Sequence, residues 1–361
     1  MILVTLGIRF GSDSEIRFST NARRLCDALP LLTSLHLRSS YDALVLLPPT
    51  LTRLRLCADE MDPTVECAVE ACWARLLQLT SLTDLGLHMC GRLPEHAAWN
   101  WTETRMTRLA SALTGLTSLA LTSDCAHVEA MPDFPLLAEL ECSIESRFVH
   151  PVVFSPHLRR LRSLRLHMHA PDPPTGIDIF LGPLRGCSDL VSLALINPFY
   201  PKMRAVCLSE PPGLPRLQSL TLRGDCVSDA HHIGHLHSPL NVLYPALESL
   251  TVDASFPSKV KSGERDVRAP MFAELAKLSA LRTLTFRESA DSHTGSDGLF
   301  RSARDCDALL GAPTRTLPRL GSIRIARNLD VWRGARAAIE ARGVEFRSVN
   351  LRRIESWSEM D

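Results

Sequence analysis

Four histidines in His231-His232-Ile-Gly-His235-Leu-His237 form the densest group of potential metal ligands in the chain. His232 has the spacing to share one ion with His235 or His237, since imidazole nitrogen suits zinc. A zinc site also needs a third ligand and fixed geometry, and this stretch lies in a long segment between apolar motifs. It is read as an exposed loop, and neither a metal nor another cofactor is expected. His167-Met-His169 follows from the strand pattern described below, which puts His167 on an outer face and His169 at a turn. The chain has no glycine-rich phosphate loop, no GxSxG elbow, no HExxH and no zinc-finger spacing. Ser, His and Asp are plentiful, but a catalytic triad needs mutual hydrogen-bond reach inside an enclosed pocket. No catalytic residue is assigned, and the chain is not expected to be an enzyme.

Arginine gives a more ordered signal. Arg38, Arg53, Arg55, Arg165, Arg223, Arg287 and Arg324, with His88 and His167, all stand beside or between the two apolar residues of a short L-x-L pair. In an extended segment alternate side chains point to opposite faces, so the paired leucines go inward and these polar neighbours go outward together. The outward positions fall into three columns, one before each pair, one within it and one after it. The first is mostly hydroxyls. Across all three, seven arginines stand against Asp84, Glu139, Glu141 and Asp253. Arginine's planar fork suits carboxylates and is common at binding hot spots. These nine residues are therefore the candidate partner-binding set, and an acidic protein partner is favoured.

The elements that must position them come from a repeat. Leu29-Pro-Leu-Leu32-Thr-Ser-Leu35-His-Leu37 has the form LxxLxxLxL, and the form returns at Leu79–Leu87, Leu113–Leu121, Leu158–Leu166 and Leu214–Leu222. Weaker copies end in the pairs Leu54/Leu56, Leu140/Cys142, Leu193/Leu195, Leu250/Val252, Leu284/Phe286 and Ile323/Ile325, and Leu6/Ile8 reads as a further one. The mean step is about 29 residues, with individual steps from 19 to 39. The leucines three apart should turn the chain into each strand. Small polar residues three beyond the pair, such as Ser40, Asp124 and Asn328, should bond backbone as the strand ends. Between strands, Val65, Cys67, Val69, Cys72, Trp73, Leu76 and Leu77 recur at helical spacing. Thr102 reads as the cap of a second helix, and Pro270 as the opening of a third. The shortest steps leave room only for turns or a 3₁₀ segment. Pro171-Asp-Pro-Pro174 and Pro211-Pro212 mark loops. Cys142 and Cys187 replace core leucines and need no chemistry.

Composition agrees. Lys and Arg number 40 against 40 Asp and Glu, which argues against a general grip on nucleic acid or an anionic membrane. With 45% apolar but only 6% aromatic residues, a large aliphatic core is expected. The opening Met1-Ile-Leu-Val-Thr-Leu6 lacks a preceding basic segment and is broken by Arg9, so neither a signal peptide nor a membrane span is read there. Eleven cysteines without a CxxC pair fit free thiols in a reducing compartment, cytoplasmic or nuclear. Asn100-Trp-Thr102, a glycosylation-type tripeptide, is then an ordinary surface segment.

These motifs resemble the leucine-rich-repeat superfamily, of the longer intracellular kind. The resemblance implies an α/β solenoid, a horseshoe with a parallel sheet on its concave side and helices or irregular segments outside. It also implies a function in binding proteins. One domain of about 12 irregular repeats is expected over 1–361, with a helix, a stop at Gly343 and a short strand capping it over 330–349 and a tail at 350–361. That closing unit is similar to the one in F-box-type repeat proteins, so the alternative is the substrate-recognition part of a ubiquitin-ligase subunit. No F-box-like helical segment precedes the first repeat, so on this alternative the F-box lies outside the chain. A first repeat starting at Leu3 would expose an unpaired edge, through which association is expected.

Overall fold

The computed structural model describes residues 5–9, 32–38, 47–58, 66–89, 101–123, 131–145, 160–169, 184, 186–196, 213–223, 240–254, 268–288, 303–311, 317–326 and 334–349. The polar turn positions from Ser40 to Asn328, the two proline-rich stretches, Asn100 and the His231–His237 segment lie outside the described residues. The chain divides into two compact units, Met1–His169 and Ala170–Asp361.

In the first unit, β1 (Thr5–Arg9), β2 (Ser34–Arg38), β3 (Arg53–Ala58), β4 (Asp84–Met89), β5 (Ser118–Ser123), β6 (Glu139–Glu145) and β7 (Ser163–His169) pair in parallel, each with the next. In the second, β8 (Ser192–Ile196), β9 (Ser219–Arg223), β10 (Ser249–Ala254), β11 (Thr283–Glu288), β12 (Ser322–Ala326) and β13 (Glu345–Val349) do the same. Each L-x-L pair sits inside a strand, and the register sets like positions side by side. Leu54, Leu85, Leu119, Leu140 and Leu164 form one buried row. Leu56, Leu87, Leu121, Cys142 and Leu166 form the next. In the second unit the rows run Leu193, Leu220, Leu250, Leu284, Ile323 and Leu195, Leu222, Val252, Phe286, Ile325. A one-residue slip would turn every apolar side chain outward, so burial fixes the register.

The upstream leucines act as expected. The amide of Leu82 donates to the carbonyl of Leu79 at 3.0 Å, and Leu116 to Leu113, Leu217 to Leu214 and Leu281 to Leu278 repeat the bond. Each bond closes a tight turn that feeds the chain into its strand. The residue two before each pair then carries a second device. Its carbonyl accepts two successive amides from the next repeat, as Thr52 accepts from Thr83 and Asp84 at 2.8 and 3.1 Å. In the first unit this position is threonine four times running. The hydroxyls of Thr52, Thr83 and Thr117 donate to the carbonyls of Thr33, Thr52 and Thr83 at 3.0 to 3.1 Å. Thr52→Val removes one rung without changing shape and should cost about 1 kcal/mol in a denaturant titration. An unchanged midpoint would mean the hydroxyl ladder adds nothing to the backbone bonds.

Helices fill the longer connections. The first unit has α1 (Glu66–Gln78) and α2 (Glu103–Ala112); the second has α3 (Leu240–Leu243), α4 (Arg268–Leu275), α5 (Ala303–Leu310) and α6 (Ala335–Glu340). Thr102 caps α2 by accepting from the amide of Arg105 at 3.4 Å. Helix α4 starts at Arg268 and not at Pro270. Proline is tolerated there because the first turn has no intrahelical acceptor for its missing N–H. Gly343 follows α6 with φ +72°, a left-handed conformation suited to glycine that turns the chain toward β13. The described residues of the short connections before β3 and β6 contain turns and no helix.

The core is mostly aliphatic, and aromatic rings join it at two of the longer connections. Trp73 of α1 meets Trp101 edge-on at 5.8 Å, with the Arg105 guanidinium over Trp73, and Phe272 of α4 meets Phe286 at 6.4 Å. A helical outer layer stands farther from the sheet than a turn does, and large rings fill that depth.

Candidate functional site

Burial alternates along β3, β7 and β9, whereas Gly86, Thr122, Ala194, Ile196 and Thr285 are buried at outward positions of β4, β5, β8 and β11. On β3, Arg53 and Arg55 are exposed while Leu54 and Leu56 are buried. The register assembles the columns foreseen from the sequence. The leading column of the first unit runs Ser34, Arg53, Asp84, Ser118, Glu139, Ser163. The middle column runs His36, Arg55, Gly86, Ala120, Glu141, Arg165. In the trailing column Arg38, Cys57, His88 and Thr122 lie side by side, and Ser143 lies beside His167.

Two charged groupings are prearranged there. The stem of Arg55 lies over Gly86, where an added Cβ would meet its Cγ at 3.1 Å, and its Nη2 is 3.8 Å from Asp84 Oδ2. Burial raises the Asp84 carboxyl above its ordinary pKa, with Arg55 and Arg53 offsetting part of that rise and Glu139 adding to it. Three strands on, Glu141 Oε1 accepts from His167 Nε2 at 2.7 Å and faces Arg165 Nη1 at 3.6 Å. Burial by itself would raise the Glu141 carboxyl, but the His167 hydrogen bond and the charges of Arg165, His167 and His88 outweigh it, and the net shift is downward.

A glutamate lowered in the fold stabilises it above the unfolded carboxyl's pKa and loses that contribution as pH falls through the lowered value. Wild type should therefore exceed Glu141→Gln in melting temperature at neutral pH, and the gap should close on acidification below the ordinary glutamate range. A gap independent of pH would show that the carboxylate charge is not what stabilises the pair.

The grouping of Ser143, His167 and Glu141 resembles a nucleophilic triad on paper. Ser143, however, is only 1% exposed beneath the face, out of reach of a substrate. His88 Nδ1 is hydrogen-bonded to the buried Thr122 hydroxyl, so both histidines are held by the sheet. Cys142, in the leucine row, has its thiol pushed up to about 12 by burial, and Cys187 to about 11, as inert core thiols should be.

In the second unit the face is mostly small hydroxyls: Ser192, Ser219, Ser249, Thr283 and Ser322 lead their strands in register. Arg223 lies half-buried beside the buried Ile196, with its Nε removed from solvent. Arg324 is exposed and forms no ion pair with a described residue. Arg38 and Arg287 hold their places in the backbone register, and their side chains lie outside the described residues. The sequence columns alone do not match Glu141 with Arg165 and His167. The signal was present, because equal offsets from consecutive pairs put Glu141 and Arg165 side by side.

Parallel strands stacked in sequence order, buried leucine rows and an outer layer of helices and turns define the class as an α/β leucine-rich-repeat solenoid. No protein-family model and no curated protein matches the chain. Among solved structures it is similar to the leucine-rich-repeat-containing protein LegL7 from Legionella pneumophila, at 13% identity and a TM-score of 0.40, over 96% of this chain and 89% of that one. It is also similar to a chain of the Toll–Spatzle complex from Drosophila, at 13% identity and a TM-score of 0.33, over 96% of this chain and 43% of that one. No helix among the described residues is long and apolar enough to cross a membrane.

Proposed function

We propose that the chain is a non-enzymatic interaction module whose outward strand face binds a protein partner. The observation that carries this reading is the Glu141–Arg165–His167 grouping, partly desolvated and fixed on rigid strands. Side chains already held in place lose little entropy on binding, and a charge network at a half-dry surface discriminates strongly between partners. Arg53 and Arg55 on β3 of the first unit, and Arg324 in the second, offer exposed guanidinium groups to carboxylates. An acidic partner surface is accordingly favoured, with no role for nucleic acid or membrane. The candidate set remains Arg38, Arg53, Arg55, His88, Arg165, His167, Arg223, Arg287 and Arg324, with Glu141 added as the group that orients two of them.

The test is to recover partners with the tagged chain in its native cell, remake the main one recombinantly, and measure its affinity by calorimetry. Arg165→Ala should weaken binding about tenfold. Unchanged affinity would remove this face from the function. No described feature favours the ligase-receptor alternative; recovery of ligase adaptor and cullin components would revive it.

A further inference from the structure

We infer that the strand face of the first unit selects its partner by two charges of opposite sign set about 14 Å apart, a carboxylate over β3 and a lysine or arginine over β6. This rests on the reading of that face as the binding surface and adds what the partner must carry.

The arrangement follows from which charges the fold satisfies internally. At β3 and β4, Arg55 lies 3.8 Å from Asp84, and this leaves Arg53, exposed and without an ion pair to a described residue, as the surplus cation. At β6, Glu141 is matched by Arg165 and His167, and this leaves Glu139, exposed and likewise without an ion pair to a described residue, as the surplus anion. Both surplus groups are leading residues of their strands. The register places them in one line, Arg53 beside Asp84, Asp84 beside Ser118 and Ser118 beside Glu139.

Three strand spacings separate Arg53 from Glu139, which gives the distance of about 14 Å. Between them on that line lie Asp84, which already faces Arg55, and the small Ser118, with Ala120 in the neighbouring column, so Asp84 is the one charge that a partner segment crosses on the way from Arg53 to Glu139. A uniformly acidic partner would meet Arg53 favourably and Glu139 unfavourably. A partner carrying both signs in the right order would gain at each end, and one with the order reversed would be repelled twice.

Two fluorescein-labelled synthetic peptides of equal length test this against the full-length chain by anisotropy at low ionic strength, where exposed charges act most strongly. One has a run of glutamates, a Gly-Ser spacer and a run of lysines; the other is all glutamate around the same spacer. The mixed peptide should bind about fivefold tighter. Glu139→Lys should weaken the mixed peptide and tighten the all-glutamate one, and Glu139→Gln should move both in the same directions by less. Both positions are exposed, and circular dichroism should report unchanged folding in each variant. Tighter binding of the all-glutamate peptide to wild type would overturn the two-charge inference and leave the acidic-partner reading standing. If neither peptide shows saturable binding that Arg53→Glu weakens, the face itself is not the binding surface and both readings fall.

Discussion

Leu85→Ala should cost about 3 kcal/mol of folding stability, the largest single effect expected in the first unit. Leu85 is fully buried and lies in register between Leu54 and Leu119, which are buried as well. Truncating it removes its own transfer energy and opens a cavity that the neighbouring strands, pinned by backbone bonds and threonine hydroxyls, cannot close. Repeats of this kind stack only on their neighbours, so the loss should also split the cooperative transition. Urea unfolding followed by circular dichroism should show a lower midpoint and a broadened or biphasic curve. A cost below about 1 kcal/mol would mean the leucine row relaxes around the gap and is not a tightly packed support for the strand face.

Arg53→Glu combined with Arg55→Glu should lower affinity for the physiological protein partner about a hundredfold while leaving the fold intact. Reversing two exposed cations turns attraction into repulsion at a patch that the partner is expected to meet with carboxylates. Exposed substitutions of this kind seldom shift stability by more than about 0.5 kcal/mol. Asp84 would lose its Arg55 neighbour and face a glutamate in its place, so its carboxyl should rise further. Calorimetry with the recombinant partner and a thermal melt of the variant separate the two effects. Affinity within threefold of wild type would show that this end of the face takes no part in binding.

The strands were legible from the sequence because inward and outward residues differ in type at every L-x-L pair. Leu54 and Leu85 announce the same position, and a common register follows once burial is required. The Thr102 cap and the Gly343 stop were legible for a local reason, since each satisfies backbone groups within a few residues of itself. Helix α4 began two residues before Pro270 because proline constrains a helix start only to within its first turn. What the pattern could not supply was contact between side chains on different repeats. Thr52, Thr83 and Thr117 look like incidental polar residues until stacking brings each hydroxyl to the carbonyl of the threonine one repeat earlier, beginning with Thr33. The sequence names Arg165 and His167 as candidate binding residues, and only stacking puts Glu141, 24 and 26 residues earlier, beside them. The sequence names Arg223 as a candidate binding residue in the same way, whereas partial burial beside Ile196 limits what it can offer a partner.

Site-specific photo-crosslinking tests most directly the claim that the outward strand face is the working surface. A benzophenone side chain would replace Ala120 in the middle of that face, and in a second protein Arg108 on the exposed side of α2. Each protein would be irradiated with the recombinant partner, and the crosslinked peptides identified by mass spectrometry. Crosslinks should form from position 120 and not from position 108. Crosslinks from 108 alone would place the partner on the helical side and contradict the assignment of the strand face.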